Sequence, residues 1–599
     1  MVVTKPIAWI FYVVVLLICN STNAQVITTT LEPTVRNVTE LNIGFNRRSD
    51  QGTWWTDTSF INLVDDMNPD IVRYPAGTQA NYWDWSTGQF IPNTDKVWNN
   101  KEVVTIPTFL NALPQRTKVV YVVNMARPTP ATGIDVNASE AVLKSQSTRN
   151  AKITDILNAL AEFTNQGKTP YAIELGNEFY FGNIESGIFE IIDTGTDFLS
   201  GWDTANNQPY SSSSKADATE ITATFYLDQC IAIVAAIKAV YPNMKFVLTT
   251  TKGGTAARDR WNNTIFTELE TNPNYSVLKN NVYAVSQHHY LNDNYGVQTP
   301  IGDNATAEVA IAEGIQYPID KQVDYDVVPS DYKIWYTEYG EVKGIAEETW
   351  ASAIRFEAFA YSWLTRGDKV GQLGWHYISD NNVVNDNNSP MKLAPVGIAS
   401  KLLSQASADM TDMQKINFGN NPIAVNGVNA LHGFTFKSNE KETVFIINIS
   451  DTDFAQVPFN NLITYTGQPI MTQYYSNAPY VSGVFEGHSN IVSTVGSVNT
   501  AIDIHKFSIT VIEVPNSTLG LEDTSQKKRS VYPNPFQDHI VFKDVNTVKS
   551  VAIFNINGSL VFKTSHLESK ILKLEGLPSG MYFAKIESDA VHTVKLIKQ

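Results

Sequence analysis

Cysteine is almost missing from this 599-residue chain, which has only Cys19 and Cys230. Cys19 lies in an N-terminal leader, so Cys230 has no partner for an intrachain disulfide and there is no cysteine metal centre. Positive charge is also short. Lys and Arg number 44 against 60 Asp and Glu, a formal net charge of −16. That balance excludes the basic face a nucleic-acid partner needs, and it disfavours a strongly anionic polymer as substrate. Gly-rich phosphate loops of either standard spacing are lacking, which removes the usual signature of a nucleotide-binding sheet. Long apolar runs are confined to the beginning. MVVTKPIAWIFYVVVLLICNSTNAQ has one basic residue, Lys5, an apolar stretch from Ile7 to Ile18, then Thr22 and Ala24. It reads as a secretory signal peptide over 1–24, cut before Gln25, and is short for a retained anchor. Ile18 ahead of Cys19 argues against a lipoprotein signal, and no other segment reads as a membrane span.

The composition is that of a soluble protein, 43% hydrophobic and 17% charged, on a chain too long for one core. Aromatic residues are plentiful at 11%, which suits large cores or the flat rings that pack against a sugar.

After a Thr- and Val-rich extended stretch, residues 25–39, short apolar runs alternate with helical stretches. The runs are LNIGFNRR, IVRYPAG, VVYVVNM, YAIELGNE, KFVLTTT, VYAVSQHHY, KIWYTEYG and LGWHYI. Helices are expected near 151–166, 216–240, 346–366 and 394–406. Eight strands alternating with helices over 40–410 predict an α/β fold, a (β/α)₈ TIM barrel; an open doubly wound sheet is the alternative. From 411 to 514 the pattern shifts to alternating segments such as HGFTFKS, ETVFIINIS and HKFSITVIEV. This predicts a β-sandwich, completed by the strands ahead of the barrel. Residues 515–530 are polar and aperiodic, a linker. The last segment, 531–599, predicts a small all-β C-terminal domain: YPNP near its start, an Asn557-Gly558 hairpin signal, LPSGMY and a basic end. It resembles the C-terminal sorting domain of type IX secretion cargo in Bacteroidetes. The resemblance implies the type IX secretion machinery as partner, and export across both membranes to a secreted or cell-surface location.

In such a barrel the site lies where the strands stop. The fourth run stops on Asn177 and Glu178, the seventh on Glu338 and the sixth on His288, His289 and Tyr290. The eighth presents Trp375 and His376, the second carries Arg73 and the third ends at Asn124. Strict alternation puts Glu174, Gly176 and Glu178 on one face, and Ile334, Tyr336 and Glu338 on another. Two carboxylates would then face one cleft, as glycoside hydrolysis requires: one protonated to assist the leaving oxygen, one ionised to attack the anomeric carbon. Arg73 and Tyr290 are donors suited to the ionised one, though Arg73 could instead serve buried Glu174 in a structural ion pair. Asn177 and His288 suit sugar hydroxyls, and Trp375 a flat floor beneath the ring. Trp83, Trp85 and Tyr180 either contact sugar or anchor loops. HHY lacks the spacing of a helical zinc motif, and neither cofactor nor metal is called for.

These residues resemble glycoside hydrolase clan A, retaining (β/α)₈ glycosidases, with a barrel-plus-sandwich layout similar to families 39, 51 and 79. The resemblance implies Glu178 as acid/base beside Asn177, Glu338 as nucleophile in contact with Tyr290, and carboxyl groups about 5–5.5 Å apart. The expectation is a secreted retaining glycosidase acting on a polysaccharide or oligosaccharide. The competing expectation is a surface carbohydrate-binding or adhesive protein on the same barrel without catalysis.

Overall fold

All eight apolar runs become strands, and they close on themselves. In a computed structural model, a first short strand β1 (Thr28–Leu31) precedes β2 (Asn42–Asn46), β3 (Ile71–Tyr74), β4 (Lys118–Val122) and β5 (Ala172–Leu175). Then come β6 (Lys245–Thr249), β7 (Val282–Tyr290), β8 (Lys333–Gly340) and β9 (Val370–His376). Strands β2 to β9 form a closed parallel barrel, so the open sheet is excluded. Each is followed by a helix: α1 (Thr58–Met67), α2 (Ile106–Asn111), α3 (Gln146–Asn165), α4 (Ser212–Val240), α5 (Ala256–Thr271), α6 (Asn304–Asp320), α7 (Trp350–Leu364) and α8 (Pro395–Ser407). The structure describes residues 26–46, 52–75, 77–90, 104–125, 128–135, 145–181, 212–254, 256–291, 301–340, 348–376, 383–385 and 387–516. It also describes 531–532, 536–542, 548–555, 558–565, 571–587 and 591–599, with isolated residues at 142 and 378 and short pieces between 196 and 209. The leader, most of the linker, Glu341 and Asn557 lie outside the described residues.

Local chemistry starts these helices. Asp57 caps α1 by accepting from the Ser59 and Phe60 amides, and Asp303 forms a capping box with Thr306 on α6. The stretch Thr222–Val240 of α4 is long and apolar enough to cross a membrane by composition alone. It is a barrel helix, burying Tyr226, Leu227, Cys230, Val234 and Ile237 in the main core.

The barrel interior is layered. Ile71, Val120, Ala172, Val247, Ala284 and Trp335 make one apolar layer. Two residues further along five of these strands stand Arg73, Glu174, Thr249, Ser286 and Thr337. The interior thus turns polar one step below the mouth.

Six further strands, β10 (Asp412–Gly419), β11 (Leu431–Lys437), β12 (Lys441–Asn448), β13 (Ile470–Tyr475), β14 (Val492–Ser497) and β15 (Ser508–Pro515), build an antiparallel sheet. Its order is β1-β10-β11-β12-β15-β13-β14, with β1 running from Thr28 opposite Gly419 to Leu31 opposite Ile416. A smaller strand pair, Phe454–Pro458 with Ala501–Ile504, closes over an apolar core that includes Ile27, Val444, Ile446 and Ile512. Helix α7 lies between barrel and sheet, and every residue from Trp350 to Leu364 is buried.

Residues 517–599 form a second unit. A three-stranded sheet (Val531–Tyr532, His539–Phe542, Ile571–Lys573) and a four-stranded one (Leu560–Thr564, Ser550–Asn555, Gly580–Glu587, Val591–Lys598) share a core of Phe536, Ile540, Val551, Tyr582 and Leu596.

Gly44 shows how tightly the barrel closes: a Cβ there would stand 1.8 Å from the Ile71 carbonyl oxygen on the neighbouring strand. Gly44→Ala should cost about 3 kcal/mol in urea unfolding. Gly302→Ala, where a Cβ meets open space, should stay within about 0.5 kcal/mol of the parent.

Candidate active site

The polar mouth is assembled by two backbone irregularities. The first is at the end of β5. Gly176 has φ +80° and Glu178 φ +53°, both in the left-handed region. A Cβ on Gly176 would sit 1.8 Å from the Phe179 ring, so only glycine fits. The turn breaks alternation, and consecutive side chains Asn177 and Glu178 both enter the mouth. Asn81 Nδ2 pins the turn by donating to the Asn177 carbonyl at 3.0 Å.

The second irregularity is in β8. Ser286 pairs with Trp335 but His288 with Glu338, and Tyr336 pairs with Leu373 but Tyr339 with Trp375. Strand β8 therefore carries one extra residue against both neighbours, a β-bulge. Trp335 and Thr337 point into the barrel, and after the bulge Glu338 does so as well. This corrects the alternation expected from sequence: Tyr336 does not share a face with Glu338, but stacks on Trp363 of α7 with ring centroids 4.1 Å apart.

Arg73 is the hub, with no exposed surface. Its Nε and Nη2 donate to the two Glu174 oxygens at 2.5 and 3.1 Å. Nη1 donates to Glu338 Oε1 at 2.7 Å, and Nη2 also to Asn177 Oδ1 at 2.7 Å. The two roles left open for Arg73 are both met. Tyr290 donates to the other Glu338 oxygen, Oε2. On Glu178, Oε1 accepts from the Tyr180 hydroxyl at 2.9 Å and lies 2.7 Å from His288 Nδ1. His288 Nδ1 is also 3.5 Å from Glu338 Oε2, so the imidazole stands between the two carboxylates. One oxygen of Glu178, one of Glu338 and a ring nitrogen of His288 all lie within 4.8 Å of one another. By type and spacing these three could hold a metal ion. Protein donors already occupy both Glu338 oxygens and Glu178 Oε1, so we assign no ligand role.

The charges follow. Burial would raise the Glu338 carboxyl, but His288, His376, Arg73 and the Tyr290 hydrogen bond more than offset it and hold it well below the usual carboxylate range. Burial would lower His288, but Glu338 and Glu178 outweigh that and raise it. Burial and the neighbouring carboxylates push the Tyr290 phenol well up, so it stays a donor.

Other expected residues fall elsewhere. The Trp375 ring is 1% exposed and packs edge-on against Tyr339 and Phe356. It faces the helix layer rather than the cleft, which corrects its assignment as a floor for sugar. Alternation along β9 turns its neighbour His376 inward instead, with Nδ1 2.8 Å from Asn46 Nδ2 and 3.7 Å from Glu338 Oε2. Sequence reasoning missed Asn46, although it sits in register with both Arg73 and His376. His289 points outward to Tyr317, its Nδ1 3.2 Å from the hydroxyl. Asn124 Nδ2 donates to the Trp83 carbonyl at 3.3 Å. Trp83 is buried against Tyr74, and Trp85 Nε1 donates to Asp155 at 2.7 Å, so both anchor their loop.

No curated protein matches the chain in sequence. Residues 530–599 match the family model of the secretion system C-terminal sorting domain. The chain thus carries a type IX sorting signal and is exported to the cell surface. Among solved structures, the family 51 arabinofuranosidase from Xanthomonas axonopodis pv. citri superposes with a TM-score of 0.55 at 10% identity, over 82% of this chain and 99% of that one. The family 51 α-L-arabinofuranosidase from Bifidobacterium longum gives 0.53 at 13%, over 82% and 99%. The thermostable family 51 enzyme from Thermotoga petrophila gives 0.51 at 14%, over 82% and 100%. At these identities the likeness shows the fold: the chain has the barrel-and-sandwich architecture of these arabinofuranosidases.

Because folding raises the His288 pKa, its contribution to stability is complete below about pH 6.5 and is lost as pH rises through the folded value. His288→Gln should therefore cost about 1–3 kcal/mol at pH 6 and less at pH 9, read by urea unfolding. A gap that widens toward pH 9 would contradict this charge assignment.

Proposed function

We propose that this chain is a secreted retaining glycosidase, with Glu338 as nucleophile and Glu178 as acid/base. The observation that carries the proposal is the pair of carboxylates on the ends of β5 and β8. Their oxygens come within 4.8 Å across one mouth, bridged by His288. That spacing suits double displacement, since an inverting pair stands about 6.5–9.5 Å apart to admit a water.

The division of labour follows from the surroundings. Glu338, kept ionised by Arg73 and His288, attacks the anomeric carbon. Glu178 gives a proton to the departing oxygen, and the glycosyl ester of Glu338 forms. Glu178 then takes a proton from water as that water attacks the same carbon, which frees Glu338 with configuration retained. Asn177, held by Arg73 and adjacent to Glu178, is placed to meet a sugar hydroxyl. The solved structures of like fold named above are arabinofuranosidases, so an α-L-arabinofuranoside is the first glycone to test. Export to the cell surface suits an extracellular oligosaccharide or polysaccharide.

A panel of 4-nitrophenyl glycosides, headed by the α-L-arabinofuranoside, tests this. Glu338→Gln should lower kcat on the order of ten-thousand-fold while the fold persists. Glu178→Ala should stall after glycosylation and be rescued by azide, giving a glycosyl azide of retained configuration by proton NMR. Inverted products, or full turnover by Glu338→Gln, would defeat the proposal. Binding to polysaccharide with no turnover on any glycoside would favour an adhesive role.

A further inference from the structure

Beneath the two carboxylates runs a hydrogen-bonded chain that the proposed reaction does not itself require. His288 Nε2 lies 3.1 Å from Thr337 Oγ1, Thr337 Oγ1 lies 3.3 Å from Glu174 Oε1, and Glu174 accepts from Arg73 through both oxygens. Each link has a fixed sense. Glu174, ion-paired to Arg73, can only accept, so the Thr337 hydroxyl must donate to it. That leaves a lone pair of the same hydroxyl facing His288 Nε2, which must therefore carry a proton. Nδ1 becomes the nitrogen that gains and loses one, and it is the nitrogen between Glu178 and Glu338.

The consequence is a constraint on protons. If Nδ1 is bare, its lone pair faces carboxylate oxygens 2.7 and 3.5 Å away, which is tolerable only when Glu178 Oε1 is protonated and donates to it. If Glu178 is ionised, Nδ1 must bear the proton. We propose that Thr337 is a positioning residue: tied to Glu174, it holds a proton on His288 Nε2 and so obliges Glu178 and His288 to share one proton between Oε1 and Nδ1. Among the described residues, the charged and titratable groups around this imidazole are Glu174, Glu178 and Tyr180 from β5 and its turn, Glu338 from β8, Arg73 from β3, His376 from β9, and His289 and Tyr290 from its own strand. Of these, Glu178 at 2.7 Å is close enough to Nδ1 to trade a proton directly, whereas Glu338 stands at 3.5 Å. Thr337 lies inward together with Glu338 because of the bulge in β8, so the same backbone feature places the nucleophile and the group that orders the proton. The proton assignment follows from geometry alone; its effect on turnover rests on the proposed role of Glu178.

The full chain labelled with ¹⁵N-histidine, with His288 assigned through His288→Gln, decides the matter by imidazole NMR between pH 6 and 9. In the parent, Nε2 of His288 should remain protonated throughout, with any change confined to Nδ1. Thr337→Val removes the acceptor, and a neutral tautomer with its proton on Nδ1 should appear; Thr337→Ser, which keeps the hydroxyl, should restore the parent spectrum. A parent imidazole that is neutral with its proton on Nδ1, or a Thr337→Val spectrum identical to the parent, would overturn the assignment. On any glycoside the chain turns over, the basic limb of kcat/KM should move about one pH unit toward acid in Thr337→Val and not in Thr337→Ser. The expected tautomers without turnover on any glycoside would defeat the glycosidase reading and leave this one standing.

Discussion

A guanidinium with no exposed surface dictates the upper half of this barrel. Burying a cation is prohibitive unless anions and acceptors satisfy it. Arg73 meets that requirement with Glu174, Glu338, Asn177 and, at 3.3 Å, Asn46. The partners come from three stretches of chain apart from Arg73's own strand: β2, β5 with its turn, and β8. One side chain therefore fixes the relative height of strand ends that are far apart in sequence. Its charge is also outnumbered. Arg73 faces two carboxylates directly and Glu178 lies just beyond, so the mouth is short of positive charge, and His288, raised by that shortage, supplies it.

The sandwich braces the barrel close to this cluster. Helix α7 follows β8, and the sandwich reaches its first turn: the Ala351 amide donates to the Pro479 carbonyl at 2.9 Å, and Trp350 Nε1 to the Phe507 carbonyl at 2.7 Å. Tyr361 of the same helix packs on His432 and Phe434. A helix buried on every face cannot shift without disturbing both layers, so β8 rests against a rigid backing. A separate apolar core for β1 with the C-terminal sheet and a shared core around α7 let one unit serve both purposes.

Much of this was legible because the chemistry sits where apolar runs stop, and a run that stops is visible in one dimension. All eight strands, four helices and the polar strand ends could be read that way. The misreading of faces along β8 has one physical cause. Period-2 alternation assigns faces correctly until the backbone inserts a residue, and the bulge at Thr337 leaves no mark in composition. It moved Tyr336 outward and brought Thr337 and Glu338 inward together. Trp375 was misread for a different reason: a tryptophan at a strand end suits a sugar floor or a helix layer equally, and only the parity of Gly374 and His376, small and polar on the inward side, decides between them. Asn46 was overlooked although Asn42, Gly44 and Asn46 alternate on a strand whose other positions are apolar.

Fold alone would not choose a chemistry, since barrels of this kind carry many. The unequal treatment of two identical side chains is what supports the proposed one. Glu338 is gripped at both oxygens, by a permanent cation and by a phenol that keeps its proton, and it has nowhere to put a proton of its own. Among the described residues, Glu178 has no permanent cation in contact. Its Oε1 meets the Tyr180 hydroxyl and an imidazole able to give or take a proton, and its Oε2 meets Asn177 Nδ2 at 3.5 Å. A carboxylate held charged beside one whose neighbours are a hydroxyl and an imidazole is the asymmetry on which the proposed double displacement rests. It arises from which donors the strand ends happen to bring, not from any difference between the two residues.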